Sequence, residues 1–210
     1  FLTFSVSEEA LTNTALTVFF LFLGLFPPIE TIIVMQGSIV EERMMGTVSW
    51  LLSKPVSRQS FILAKWLGNS IFLLGTIVGI PGLIGYFELS YLAGTFLNPL
   101  TYLIGLGVLA LYHLFFIELT LFLGTFKVHG GAVAGPPLII NFAQQFLQMI
   151  PFVGYFLPLG LILNQMGGNP IIVSIILGEE LFSWIPLIIT GVFVILFLLL
   201  SIWKFEDQEL

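Results

Sequence analysis

Three ionisable side chains lie inside long apolar stretches of this sequence, where they could carry protons or line a polar pathway: Glu30, His113 and Glu118. A charge at the centre of a bilayer costs about 2.5 to 3.5 kcal/mol, so such groups usually face a bundle interior or a water-filled path. His113 and Glu118 are five residues apart, about 140° around a helix, so a direct pair is not expected. Each residue is interpreted either as polar lining or as a protonated or hydrogen-bonded helix contact.

A later apolar stretch carries amide side chains at intervals of three or four residues, which places them on one face of a helix. The amides are Asn141, Gln144, Gln145 and Gln148. Hydrogen bonds between helices are the ordinary use of such amides in a membrane. Gln144 and Gln148 are also candidates for the lining of a pathway.

No arrangement typical of catalysis or of metal binding occurs in the sequence. The two histidines, His113 and His129, have no carboxylate or thiolate neighbours at metal-ligand spacing, and the chain has no Cys. No Ser lies in a Gly-x-Ser-x-Gly elbow, and no Gly-x4-Gly-Lys-Ser/Thr loop is present to cradle ATP phosphates. We therefore predict that the chain is not an enzyme and binds no cofactor or metal itself.

The composition is that of a membrane protein. Hydrophobic residues make up 58% of the 210 positions and charged residues 9%, against about 25% charged in ordinary soluble domains. A spanning helix needs roughly 20 apolar residues, so this length allows about five or six spans. The net charge of −6 and the lack of an extended basic patch argue against a nucleic-acid partner. The expected fold class is an all-α, polytopic transmembrane helix bundle forming one domain over residues 1–210.

Apolar stretches predict five spanning helices, at about 14–40, 61–86, 100–126, 131–152 and 182–203. Pro27 and Pro28 fall inside the first, and a kink is expected there because neither has an N–H. Residues 153–180, between the last two spans, contain two apolar runs that are too short to cross, at 155–163 and 171–177. These runs are predicted to form a pair of short re-entrant helices on the outer face.

The basic residues predict the orientation, because Lys and Arg in short loops set the topology of a membrane protein. Four basic residues lie between the first two apolar stretches, and the other two follow the third and the last: Arg43, Lys54, Arg58, Lys65, Lys127 and Lys204. The loop 41–65 and the C-terminus are therefore predicted to be cytoplasmic, which places the N-terminus outside. Since no basic region precedes an apolar one at Phe1, we expect a further span that is missing ahead of it.

Residues 41–58 predict a short amphipathic helix that lies along the membrane surface. Gly46 is expected to end the preceding span, Thr47 to cap the short helix and Ser57 to cap the next span. Three apolar residues share one face of this helix at the spacing of helical turns: Val48, Leu51 and Leu52. On these features alone, an ordinary interfacial linker whose charges only set the topology is an equal alternative.

The order of residues in this loop resembles the membrane subunit of type-2 ATP-binding-cassette (ABC) transporters. The matching residues are Glu42-Arg43, Gly46-Thr47, Leu51-Leu52, Ser53-Lys54-Pro55-Val56-Ser57-Arg58 and Lys65. The remainder of the chain agrees with the family only in its layout. Members usually have six spans with both termini inside, so the resemblance also implies a lost first span.

The resemblance implies the permease half of an ATP-driven transporter, with export as the expected direction, in the plasma (inner) membrane of a prokaryote. It implies a coupling helix at residues 47–53 that docks on a separate ABC ATPase subunit, which would hold ATP and Mg. A second permease subunit would complete a homodimer or heterodimer. The residues implied in contact with the ATPase are Glu41, Glu42, Arg43, Gly46, Thr47, Val48, Leu51, Leu52, Ser53, Lys54, Pro55 and Arg58.

Two other functions stay open on the sequence. Glu30, Glu118 and the row of amides would also suit an ion-coupled or proton-coupled carrier or channel that works without ATP. The lack of any strong substrate site would suit a non-transporting membrane anchor in a larger complex.

Overall fold

The computed structural model describes residues 8–47, 50, 57–126, 129–164 and 168–206, and the regular elements in these ranges are all helical. The α-helices are α1 (Glu8–Leu25), α2 (Pro27–Met44), α3 (Arg58–Leu74), α4 (Ile80–Leu92), α5 (Pro99–Gly124), α6 (Gly130–Leu147), α7 (Pro151–Gly154), α8 (Ile171–Leu177) and α9 (Ile185–Glu206). A π-helical turn at Gly75–Gly79 joins α3 to α4, and a 3₁₀ turn at Pro158–Leu161 lies between α7 and α8. The predicted all-α class is confirmed for this part of the chain.

Four helical stretches within the described ranges are long and apolar enough to cross a membrane: Ala10–Glu42, Arg58–Leu92, Pro99–Gly124 and Ile185–Glu206. They coincide with four of the five predicted spans. Helix α6 is not among them, because its 18 residues include two prolines and several amides that lower its mean hydropathy. The membrane-helix character is therefore supported, whereas the number of five spans remains a prediction.

The Pro27-Pro28 pair interrupts the first of these stretches, as the sequence predicts. Helix α1 ends one residue before Phe26 and α2 begins one residue after it. Neither proline has an N–H, so the carbonyl groups four residues earlier lose their helical donors. The chain packs tightly beside this bend, because a Cβ atom on Gly24 would lie 2.1 Å from Ile162 Cδ1.

The second long stretch changes its packing partner at the π-helical turn. The N–H of Ile80 bonds to the carbonyl of Gly75, five residues earlier, so the turn holds one residue more than an α-helical turn. Helix α3 packs against α9, whereas α4 packs against α1. The second contact is close, because a Cβ atom on Gly85 would lie 2.1 Å from Phe19 Cζ.

Helix α5 is at the centre of the bundle. It packs against α2, α3, α6, α8 and α9, and its most apolar stretch is 61% buried, against 22 to 33% for the other three membrane-length stretches. Tyr112 and Phe116 are fully enclosed. Polar residues on α5 are therefore shielded from the surroundings by the other helices.

The segment 153–180 contains short helical elements, but only one of them has the predicted bounds. Helix α8 coincides with the run expected at 171–177, whereas the run expected to be helical at 155–163 forms only a four-residue 3₁₀ turn. Pro158, which lacks an N–H, and Gly160, which has a low helix propensity, account for the shorter element. The turn packs against α5 and α9, with Leu159 and Leu161 fully buried.

Candidate functional site

The candidate coupling loop leaves the bundle at the end of α2 and returns to it at the start of α3. Gly46 has a φ of +72°, a left-handed conformation that commonly ends helices, which agrees with its predicted role. The N–H of Trp50 bonds to the carbonyl of Gly46, four residues earlier, at 3.1 Å. At the other end, the side chain of Ser57 accepts the N–H of Ser60 at 3.1 Å, which confirms the predicted cap of α3.

Several predicted contact residues lie outside the part of the chain that the structure describes: Val48, Leu51, Leu52, Ser53, Lys54 and Pro55. Among the others, Glu41, Gly46 and Thr47 are exposed, Glu42 is half-buried, and Arg43 belongs to the last turn of α2. The described residues therefore define the two ends of the loop, and the coupling helix itself stays a prediction.

An ion pair joins the two helices that carry this loop. Lys65 Nζ, two turns into α3, donates to Glu42 Oε1 near the end of α2, and the side chains are 26% and 25% exposed. A pair this accessible to solvent is screened by salt and contributes about 0 to 1 kcal/mol to stability. Its main effect is geometrical, because it holds the ends of α2 and α3 together at the base of the loop.

The first turn of α3 is also attached to the end of α9. Arg58 Nη1 donates to the backbone carbonyl of Glu206 at 3.1 Å, and Gln59 Nε2 donates to the Glu206 carboxylate at 2.5 Å. The rings of Phe61 and Phe205 stack with centroids 5.3 Å apart and planes 15° from parallel. A displacement of the loop would consequently reach three helices: α2, α3 and α9.

Glu118 is buried on α5 without a hydrogen-bond partner among the described residues. Its side chain is 0% exposed, and neither carboxyl oxygen is bonded. The indole N–H of Trp66 on α3 lies beside this carboxyl but does not reach the geometry of a full hydrogen bond. A buried polar group without a partner costs free energy, so Glu118 is a candidate for a group whose contacts change during function. Within the described ranges, no three potential metal ligands come together.

His113 is also buried on α5, on a different face of the helix from Glu118. Its Nδ1 atom is 2.9 Å from the carbonyl of Leu109 in the preceding turn. Its Nε2 atom lies near the carbonyl of Leu23, which lacks a helical donor because of Pro27, but the contact falls short of hydrogen-bond geometry. These surroundings favour the interpretation of His113 as a helix contact over that of a pathway lining.

Gln144 and Gln148 attach the 3₁₀ turn and the residues after it to α6. Gln144 Oε1 accepts the N–H of Leu159 at 3.1 Å, and its Nε2 donates to the hydroxyl of Tyr112 at 2.8 Å. Gln148 Nε2 donates to the carbonyl of Leu163. Both glutamine side chains are 1% exposed, so their surroundings favour the structural use of the amides.

Glu30 has different surroundings from the other candidates, because it is exposed on the outward face of α2. No described residue forms an ion pair or a hydrogen bond with its side chain. Phe22 and Phe26 precede it on the same face, each 58% exposed, with ring centroids 5.5 Å apart. These two rings were not among the residues predicted from the sequence, although the spacing of Phe22, Phe26 and Glu30 at intervals of four residues was a detectable signal.

The comparisons with known proteins do not assign the chain to a family. No protein-family model matches it, and no protein of curated function does.

Proposed function

We propose that this chain is the membrane subunit of a type-2 ABC transporter, acting in export and coupled to a separate ATPase chain. The observation that carries the proposal is the order of residues in the loop 41–65, from Glu42-Arg43 through Gly46-Thr47 to Lys65. The contacts around the loop support it, since both ends of the loop are attached to membrane-length helices.

These contacts give the loop a mechanical connection to the bundle. A force on the loop would act on α2 and α3 together through the Glu42–Lys65 ion pair, and on α9 through Arg58. The stretch Arg58–Leu92 has 35 residues, a length of about 52 Å at 1.5 Å per residue, which exceeds the thickness of a bilayer. A tilt at its loop end would therefore move its opposite end. In the proposed mechanism, closure of two ATPase subunits around ATP pushes the loop and produces this tilt.

Affinity purification of the membrane protein in mild detergent tests the proposed partner. We expect an ABC ATPase chain to co-purify with it and to hydrolyse ATP when the complex is returned to lipid. A purified complex that repeatedly contains no ATPase would refute the proposal.

A double substitution in the loop, Leu51→Asp with Leu52→Asp, tests the coupling role. We expect the protein to insert and fold normally but to lose ATP-driven transport, because charged side chains would replace the apolar face predicted to dock on the ATPase. A matched control is Tyr91→Asp with Phe96→Asp, which alters side chains that are 89% and 78% exposed near the opposite end of the bundle. Transport that survives the loop substitutions would show that the coupling assignment is wrong.

A proton-coupled or ion-coupled carrier is the second candidate, and Glu118 is the observation that favours it. A fully buried carboxyl without a hydrogen-bond partner is the kind of group that binds and releases a proton in such carriers. Transport driven by an ion gradient in ATP-free vesicles, and lost in Glu118→Gln, would establish this function in place of the first.

A further inference from the structure

We propose that the outward face of α1 and α2 binds amphipathic organic cations, through the rings of Phe22 and Phe26 and the carboxylate of Glu30. This inference rests on the proposed transport function, and it names the class of substrate.

The three side chains form one exposed row across the bend. They are four residues apart, and all three are exposed. The rings of Phe22 and Phe26 stack with planes 27° from parallel. The next exposed side chains beyond Glu30 on this face are apolar, with Ile33 53% and Val34 39% exposed. The carboxylate is thus bordered by aromatic rings on one side and by aliphatic groups on the other.

Glu30 has no cationic partner among the described residues. The described basic side chains are engaged elsewhere: Arg58 with Glu206, Lys65 with Glu42, and Lys204 above the ring of Phe126, at 5.7 Å from its centroid. Residues 8–42 contain no Lys or Arg. Lys65 reaches the loop end of this face, where it borders a pocket with Ile33 and Val34, but its ammonium is paired with Glu42. A charged group at membrane depth is ordinarily paired, so a cation is the ligand that would complement the Glu30 carboxylate.

The outward face of α9 does not share this arrangement. Helix α9 exposes only apolar side chains between its ends, namely Ile188, Val192, Phe193, Ile195, Leu196 and Leu199. Such a face is ordinary for contact with lipid chains. Helix α4 also exposes a carboxylate, Glu88, beside Phe87 and Tyr91, but the Phe87 ring meets Tyr86 edge to face. The stacked pair of exposed rings distinguishes the face of α1 and α2, and together with Glu30 it indicates a ligand with both charge and apolar surface.

An organic cation matches these groups better than a second copy of the same face. Cations are attracted to the faces of aromatic rings, and apolar substituents would replace lipid against the phenylalanines. A two-fold contact between two copies would bring the same face of each together, so Glu30 would meet another acidic face without a basic residue. A bound cation would neutralise the Glu30 carboxylate whether the chain is alone or paired with a second copy.

Binding of tetraphenylphosphonium to the membrane protein in lipid nanodiscs, without ATPase or ATP, tests the proposal. Equilibrium dialysis against empty nanodiscs corrects for partition into lipid. We expect saturable binding to the wild type and a Kd raised about tenfold or more in Glu30→Gln, which corresponds to about 1.4 kcal/mol. Phe26→Ala is expected to raise the Kd several-fold through the lost ring contact.

Three controls separate this site from general membrane binding. Tetraphenylborate, which has nearly the same shape and the opposite charge, is expected not to bind saturably. Glu88→Gln, which removes an exposed carboxylate near the end of α4, is expected to leave the Kd unchanged. Glu30→Asp retains the negative charge and is expected to keep the Kd within about threefold of the wild type, which excludes misfolding as the cause of the Glu30→Gln effect.

Wild-type affinity in Glu30→Gln, or equal binding of tetraphenylborate, would overturn the inference. If Glu30→Gln instead dissociated a dimer and left cation binding unchanged, the face would be an interface between copies and the inference would also be overturned. The two proposals fail separately, since cation binding without a co-purifying ATPase would refute only the transporter assignment. An ATPase complex whose cation binding ignores Glu30 would refute only this site.

Discussion

The replacement Gln144→Leu should loosen the 3₁₀ turn from the bundle while leaving the overall fold intact. Gln144 is 1% exposed and makes two hydrogen bonds, one accepted from the N–H of Leu159 at 3.1 Å and one donated to the hydroxyl of Tyr112 at 2.8 Å. Leucine has a similar volume but can make neither bond. In the variant, the Tyr112 hydroxyl would still have a hydrogen-bond acceptor, Asn141 Oδ1 at 3.5 Å. The N–H of Leu159, in contrast, would be left buried without an acceptor.

The expected loss of stability follows from that unpaired N–H. A buried donor deprived of its acceptor costs about 1 to 3 kcal/mol, and single hydrogen bonds between membrane helices average about 0.6 kcal/mol. We therefore expect the free energy of unfolding to fall by about 1 to 3 kcal/mol. If the loss is confined to local opening of the turn, amide hydrogen exchange at Leu159 should accelerate about 5-fold to 150-fold, because each 1.4 kcal/mol is a factor of ten.

Unfolding in bicelles together with amide exchange by mass spectrometry would measure both quantities. Gln145→Leu is the matched control, because Gln145 is adjacent on α6, only half-buried, and makes no hydrogen bond to the described residues. The control should change the free energy of unfolding by less than about 0.5 kcal/mol. Equal effects of the two substitutions on stability and on exchange at Leu159 would refute the reasoning.

Two further predictions concern contacts that position the bundle and the loop. Gly24→Ala should lower the free energy of unfolding by about 1 to 3 kcal/mol, because the new Cβ atom would lie 2.1 Å from Ile162 Cδ1. The control is Gly135→Ala, where the added Cβ would enter open space. This control should not destabilise the protein in the same unfolding assay. Glu42→Lys should reduce ATP-driven transport measured in proteoliposomes, because two lysines would meet at the base of the loop, and adding Lys65→Glu should restore it. Stability should change by about 1 kcal/mol or less in both charge variants, so a large stability loss would contradict the geometrical role of the ion pair.

Features governed by local backbone chemistry were predictable from the sequence. The break at Pro27-Pro28 follows from the missing N–H groups, the end of α2 from the freedom of Gly46 to adopt positive φ, and the cap of α3 from the side chain of Ser57. Each depends on a few neighbouring residues. The structure therefore agrees with the sequence analysis at these positions.

The surroundings of the acidic residues depend on tertiary packing and were not predictable. Glu30 and Glu118 have the same chemistry and lie in similar apolar contexts, yet one is exposed and the other is 0% exposed. Their environments differ because α5 is enclosed by other helices, whereas α1 and α2 have an outward face. The same limit applies to Gln144 and Gln145, since only the rotation of α6 decides which amide reaches Leu159.

The π-helical turn at Gly75–Gly79 has a consequence for how the second membrane-length helix can change over evolution. One additional residue rotates everything beyond it by about 100°, which lets α3 face α9 while α4 faces α1. Losing a single residue there would turn Gly85 away from Phe19 and present bulkier side chains in its place. The two halves can accordingly accumulate substitutions independently, whereas the number of residues between them cannot vary.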